Sequence, residues 1–311
     1  MDNPFALVGL RPQREPAPAG GQGRSRRMRR LPLASLIFLT ALLLLCLLAD
    51  VLAPGDPAYM DLSAASQPPG GAHPLGTDAL GRDVLAMILH GGRTSLFIGI
   101  CSAAISALVG SVYGSAAALC PGWLHDLLMR GAELLLSLPG ILLAILLQAA
   151  LGPASPLTLC LVIGLTSWME IAKVVRSEVL QMRNQEYILS ARSMGAGFFY
   201  LLWRHLLPGF FSSIAFLVVS GVGAAIGMEA TLSFLGIGLP VEAVSWGSLL
   251  QASQRSLLSG DWWMILLPGA VLVLTLLCFL QAGSALRAGA TRRGSARLSW
   301  RRPGCGPGVC I

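Results

Sequence analysis

Residues 173–208 read KVVRSEVLQMRNQEYILSARSMGAGFFYLLWRHLLP. Connectors between helices are ordinarily short, polar and rich in turn residues. This one is helix-forming and broken once, at Gly195-Ala196-Gly197. Before the break Ile188, Ala191 and Met194 fall at helical spacing; after it Phe198, Phe199, Leu201, Leu202 and Trp203 crowd a short helix that Pro208 limits. Large apolar side chains held outside hydrocarbon imply a partner or the bilayer interface. A short helix seating aromatic anchors in a groove fits the first, and a partnerless interfacial helix is the alternative.

The sequence on either side makes this segment a loop between membrane spans. Only 12% of the 311 residues are charged, against roughly 25% in soluble domains. Hydrophobic residues make up 54%, with a mean hydropathy of +0.69. These values exclude a disordered chain and a disulfide-framed scaffold, and they weigh against a soluble enzyme, whose surface must face water. A helix needs about 20 apolar residues to cross the hydrocarbon core. Charge-free stretches at 31–49, 94–124, 134–169, 205–228 and 262–286 supply them, the third long enough for two helices split at Gly152-Pro153-Ala154-Ser155-Pro156. The expected fold is an all-α integral membrane protein with six transmembrane helices: a basic tail over 1–30, a six-span domain over 31–290 and a basic tail over 291–311. About thirty residues precede the first span and no clean small-x-small site follows it, so it reads as a retained helix rather than a cleaved signal.

Basic residues orient the chain. With both termini in the cytoplasm, 19 Lys and Arg residues fall inside and three (Arg82, Arg93, Arg255) outside. The basic ends lack interleaved aromatics and any nucleic-acid-binding module, so they read as anchors on an anionic leaflet, with no nucleic-acid partner. Five cysteines lie in or near spans and read as small apolar side chains; Cys305 and Cys310 fall in the tail.

Within the loop, Ala191, Gly195 and Leu207-Pro208 have the spacing of the EAA loop of ABC importer permeases, which this segment resembles. Leu189 and Ser190 stand where that motif has Glu and Ala, and His205 where it has Ile; Glu186 lies three residues earlier. The stretch HPLGTDALGRD, from His73 to Asp83, resembles the signature before the second span in dipeptide, oligopeptide and nickel permeases, specifically their C-type subunit. EATLSFLGIG from Glu229, followed by Ser245-Trp246-Gly247, is similar to a further segment of that family.

The resemblance implies a type I ABC importer permease fold. It implies a transport subunit rather than an enzyme, in the bacterial cytoplasmic (inner) membrane. Its implied partners are a homologous second permease, one or two ABC ATPases that bind the ATP and Mg, and an extracytoplasmic solute-binding protein. The coupling loop would meet the ATPase through Glu186, Tyr187, Ala191, Arg192, Gly195, Phe198, Trp203, Leu207 and Pro208. The expected cargo is a dipeptide or oligopeptide; nickel or a metal chelate is the alternative.

The remaining polar residues divide by position. Thr77 or Asp78 can cap a helix starting near Ala79, with Asp83 adding negative charge in its first turn. Gly76, Gly81 and Arg82 complete this turn, which reads as positioning the second span rather than touching cargo. Glu229 follows a long uncharged run and is a candidate for facing the translocation path or a partner subunit, or else an interfacial carboxylate. Glu133 and Glu170 fall near the expected cytoplasmic ends and read as interfacial or structural. The scattered histidines give no metal-ligand spacing and no Gly-rich loop with Lys cradles a phosphate, so no metal or cofactor is expected on this chain. A self-sufficient channel or ion-coupled carrier, with Glu229 as its ion site, is the rival of another class.

Overall fold

The computed structural model describes residues 24–71, 73–240, 243–256 and 260–299. Among them the chain is helical apart from turns and one bridge between Thr77 and Asp83. The helices are α1 (Arg24–Leu47), α2 (Ala49–Leu52), α3 (Val84–Leu119), α4 (Gly122–Ser137), α5 (Gly140–Leu151), α6 (Pro156–Met182), α7 (Glu186–Ser193), α8 (Phe198–Leu201), α9 (Leu207–Phe234), α10 (Trp246–Ser256) and α11 (Trp263–Ser299). Among the described residues, four stretches are long and apolar enough to cross a membrane: Val84–Leu119, Pro156–Met182, Ser213–Phe234 and Trp263–Arg287. The α4–α5 pair meets the same test jointly, and α1 carries the shorter apolar stretch Leu33–Leu47. Helices α1 and α11 extend into the regions read as tails, while residues 1–23 and 300–311, with Cys305 and Cys310, lie outside the described residues.

Capping and proline chemistry set the boundaries. Helix α3 starts at Val84, where the Asp83 carboxylate accepts from the Leu85 and Ala86 amides at 2.8 and 3.3 Å. This corrects the expected start near Ala79 and the expected cap. It also extends the second span back ten residues, from 94 to 84. The expected third span is corrected as well: in its place stand two helices, α4 and α5, bent by 96° at Leu138-Pro139. Pro139 supplies no backbone N–H and forces Leu138 into an extended conformation, which ends α4. The turn expected at 152–156 is present. Ser155 closes a capping box with Thr158 and Pro156 opens α6, as an N1 proline should. Helix α6 then runs on to Met182, so the first ten residues of the expected 173–208 loop are helical.

Helix α3 is the post on which the bundle is built, packing against α1, α4, α6, α9 and α10. Its buried small residues include Gly92, Ser95, Gly99, Ser102, Ser106, Gly110 and Gly114, three or four apart. That stripe admits neighbouring backbones at close range, which is how helices associate in lipid, where water supplies no hydrophobic drive between them. A Cβ on Gly110 would lie 2.8 Å from the Trp168 carbonyl of α6, and one on Gly114 would press still closer on Ala172.

The ends are tied by charge. Arg93 of α3 donates to the Cys46 and Leu47 carbonyls at 2.5 and 2.7 Å, satisfying the C-terminal end of α1, and pairs with Asp50 at 2.9 Å. Hydrogen bonds from Arg93, and then from His90, hold the Asp50 carboxyl below the usual carboxylate range. At the opposite end Arg183 donates to the Ala118 carbonyl at 3.2 Å. Nearby, Arg176 donates at 2.7 Å to Nε2 of His125, whose Nδ1–H donates to the Ala117 carbonyl at 2.6 Å. The last turns of α6 are thereby fastened to the α3–α4 corner.

Gly114→Leu is expected to wedge α3 from α6. Overpacking a tight contact costs about 1–3 kcal/mol, and a lowered melting temperature of the purified protein in detergent checks it. An unchanged melting curve would show that α3 and α6 tolerate separation.

Candidate functional site

The loop after α6 folds into α7, a turn and α8, and then a π-helical turn at Leu202–Leu206 that feeds α9. Gly195 sits at φ +81°, in the left-handed region that side-chain-bearing residues avoid. Around it the Ala196 amide bonds back to the Ala191 carbonyl at 3.1 Å, a Schellman-type stop. The loop is two-sided. Ile188, Leu201, Leu202 and Leu206 are buried against Val175, Val179, Met182 and Phe210, and Ala191 is buried as well. The other side exposes Tyr187, Leu189, Met194, Phe199, Tyr200 and Trp203.

The residues expected to meet a partner therefore separate. Tyr187 and Trp203 are exposed, Glu186 stands exposed in the first turn of α7, and Pro208 is exposed at the start of α9. Ala191 is buried, Leu207 is half-buried, and Phe198 is half-buried, packed on the Ala118–Val175 cluster. Phe199 and Tyr200 are exposed instead. Helical spacing was the signal that distinguished them: Phe199 and Trp203 are four apart, whereas Phe198 is one step round the helix. The backbone of Arg192 lies in α7, and its side chain is outside the described residues.

The signature turn is held by its own polar contacts. Asp78 and Arg82 are almost wholly buried and paired at 2.7 Å, and Asp78 also accepts from the Leu80 and Arg82 amides at 2.9 and 2.8 Å. Buried Thr77 donates to the Ala64 carbonyl at 2.5 Å and accepts from the Gln67 amide at 2.9 Å. Trp263 Nε1 donates to the Thr77 carbonyl at 3.1 Å, tying α11 to the entrance of α3. Gly76 and Gly81 both have positive φ, and a side chain on Gly81 would collide with the backbone of Asp61. Asp83 is the cap of α3 and also meets His73 at 3.0 Å.

Glu229 requires a correction. It lies on α9 with no exposed surface, so it does not face a path. Its carboxylate accepts from Ser95 of α3 at 3.1 Å, Ser233 of α9 at 2.9 Å and Ser245 at the start of α10 at 2.7 Å. Trp246, fully buried, donates through its amide to Ser95 Oγ at 3.2 Å and through its indole to the Ile88 carbonyl at 3.0 Å. The two signatures at 229–238 and 245–247 meet here, and Gly247 leaves room for the carboxylate. Ser95 had no sequence signal; Ser233, one turn from Glu229, had one. A separate cavity of about 470 Å³ opens between α3, the α4–α5 bend, α6 and α9, and Glu229 is not on its wall.

Comparison with known proteins supplies the family. The family described as binding-protein-dependent transport system inner membrane component matches residues 94–288, from within α3 into α11. The chain belongs to that family. A second match, to the N-terminal TM domain of oligopeptide transport permease C, covers residues 24–69. The permease is 34% identical over 264 residues to the dipeptide transport system permease protein DppC of Bacillus subtilis, covering 85% of this chain and 82% of the relative. It is 33% identical over 261 residues to the oligopeptide transport system permease protein OppC of the same organism, covering 84% and 85%. It is thus a multi-pass ABC importer permease of the inner membrane.

Arg82→Ala strands a buried carboxylate and is expected to cost about 3–5 kcal/mol, whereas Asp83→Ala removes a cap worth about 1 kcal/mol. Thermal melting of the two variants in detergent should rank them in that order. Equal losses would mean that Asp78 and Arg82 are not a buried pair in the folded protein.

Proposed function

We propose that this permease is the peptide-carrying subunit of an ATP-driven importer. In this reading six spans are formed by the apolar stretch of α1, by α3, by the bent α4–α5 pair, and by α6, α9 and α11, with both termini in the cytoplasm. A homologous second permease completes the pathway, one or two ATPases hold the ATP and Mg, and an extracytoplasmic binding protein delivers cargo. The exposed row of Tyr187, Leu189, Met194, Phe199, Tyr200 and Trp203 carries the reading. Its reverse side is locked into the bundle, so a protein gripping the row moves α6 and α9 with it. Groups that large and apolar are costly to leave in water, and a helix-in-groove contact covers them.

Both relatives described above are named for dipeptides or oligopeptides, which favours a peptide over nickel or a chelate. The ion-coupled carrier is disfavoured by Glu229, whose carboxylate is enclosed by three serine hydroxyls and has no open side for an ion. ATP-driven closure of the ATPases would then switch the permease pair between two conformations, with the loop as lever.

Phe199→Ser with Trp203→Ser is expected to leave membrane insertion intact, to release the ATPase during purification and to abolish uptake. Gly195→Val strains the left-handed turn, at about 1–2 kcal/mol, and should weaken coupling in the same assays. Retention of both the ATPase and ATP-dependent uptake in the double variant would refute the loop's role.

A further inference from the structure

Glu170 changes meaning once α6 is seen to extend to Met182. It lies 14 residues after Pro156 and 12 before Met182, or about 21 Å and 18 Å along the helix, rather than at its end. The Glu170 carboxylate makes no hydrogen bond or ion pair with any described residue. It is exposed, on the wall of the 470 Å³ cavity between α3, the α4–α5 bend, α6 and α9. Arg176 is occupied by His125, and Lys173 lies outside ion-pair distance. A carboxylate on an apolar helix, three residues before Lys173 and with no described cation paired to it, is a candidate for a pathway role.

The wall around it is built for a polar guest. Ser102 is almost fully buried, and its hydroxyl has no partner among the described residues. Ser106 and Thr166 donate to the Gly164 and Ile163 carbonyls, which leaves their oxygens able to accept. The facing wall is apolar, with Leu138, Leu143 and Met228. The volume falls in the roughly 300–1,000 Å³ range of small-ligand sites.

We propose that this cavity is a cargo-contact site, with Glu170 as the residue that selects for a cationic group, the α-ammonium or a basic side chain of a peptide. The identity of the cargo rests on the peptide reading above. The carboxylate accepts from the ammonium, the Ser106 and Thr166 oxygens accept its remaining N–H groups, and the free Ser102 hydroxyl donates to a peptide carbonyl. One exposed carboxylate holds its guest weakly enough to release it.

The test uses the complete transporter in membrane vesicles, with this chain carrying Ser167→Cys as a reporter on the cavity wall. Cationic and anionic methanethiosulfonates compete for that thiol, and labelling at position 167 is read by mass spectrometry. A cleft of one charge concentrates the opposite charge, so the cationic reagent should react about tenfold faster, and adding Glu170→Gln should erase the preference. Equal rates without Glu170→Gln would overturn the proposal. In a second arm, ATP-driven uptake of Ala-Lys-Ala is compared with that of N-acetyl-trialanine amide. Glu170→Gln should lower the ratio about fivefold while Glu170→Asp retains it; an unchanged ratio in Glu170→Gln overturns the selective role. If the unsubstituted transporter carries neither peptide yet the reagent preference holds and depends on Glu170, the cation site stands and the peptide reading falls.

Discussion

The close approach of α3 to α6 and α9 is the constraint from which the rest of the architecture follows. Helices in lipid gain little from burying apolar side chains against one another, so contact depends on small residues and on satisfied polar groups. Helix α3 supplies both. Gly110 and Gly114 admit the backbone of α6, Gly99 admits Ile226 of α9, and Ser95 joins the Glu229 carboxylate to the amide of Trp246. A larger residue at any of these glycines would part the helices that carry the loop from the helix that anchors them.

The same frame explains how a surface contact can act at a distance. The α7–α8 loop has little independent core; its buried side belongs to the cluster shared by α6, α9 and the end of α3. Arg183 and the Arg176–His125 pair fasten α6 to the α3–α4 corner through helix-terminal carbonyls. In the proposed coupling, a push on Phe199 or Trp203 would meet packed helices rather than a slack connector. At the other end, the buried Asp78–Arg82 pair, Trp263 and the Glu229 cluster hold the entrances of α3, α10 and α11 together. The bend at Pro139 lies beside the cavity.

Several features were legible from residues alone because their causes are local. Ser155-Pro156 announces a helix start wherever it occurs, and the Gly195 break announces a stop. The apolar loop was recognisable because its composition contradicts its position. Helix boundaries were less legible. Charge-free runs marked where hydrocarbon would be, yet α3 and α6 continue beyond them, since helices do not end where hydrophobicity does but where a cap or a proline ends them. The differing burial of Phe198 and Phe199 was not legible either, because adjacent residues on a short helix point different ways.

What the sequence determined by itself is a membrane bundle, its punctuation and its family, because hydropathy, turn chemistry and motif spacing are properties of neighbouring residues. What only the tertiary structure decided is the role of each polar group. Glu229 and Glu170 are both carboxylates in apolar surroundings, and nothing in their flanking residues tells which is enclosed and which is open. Three serines, two of them brought from other parts of the chain, enclose the first. A bend at Pro139 and a gap between four helices leave the second facing space. The fate of a charge in a membrane depends on what lies across from it, and that is set by how the helices meet.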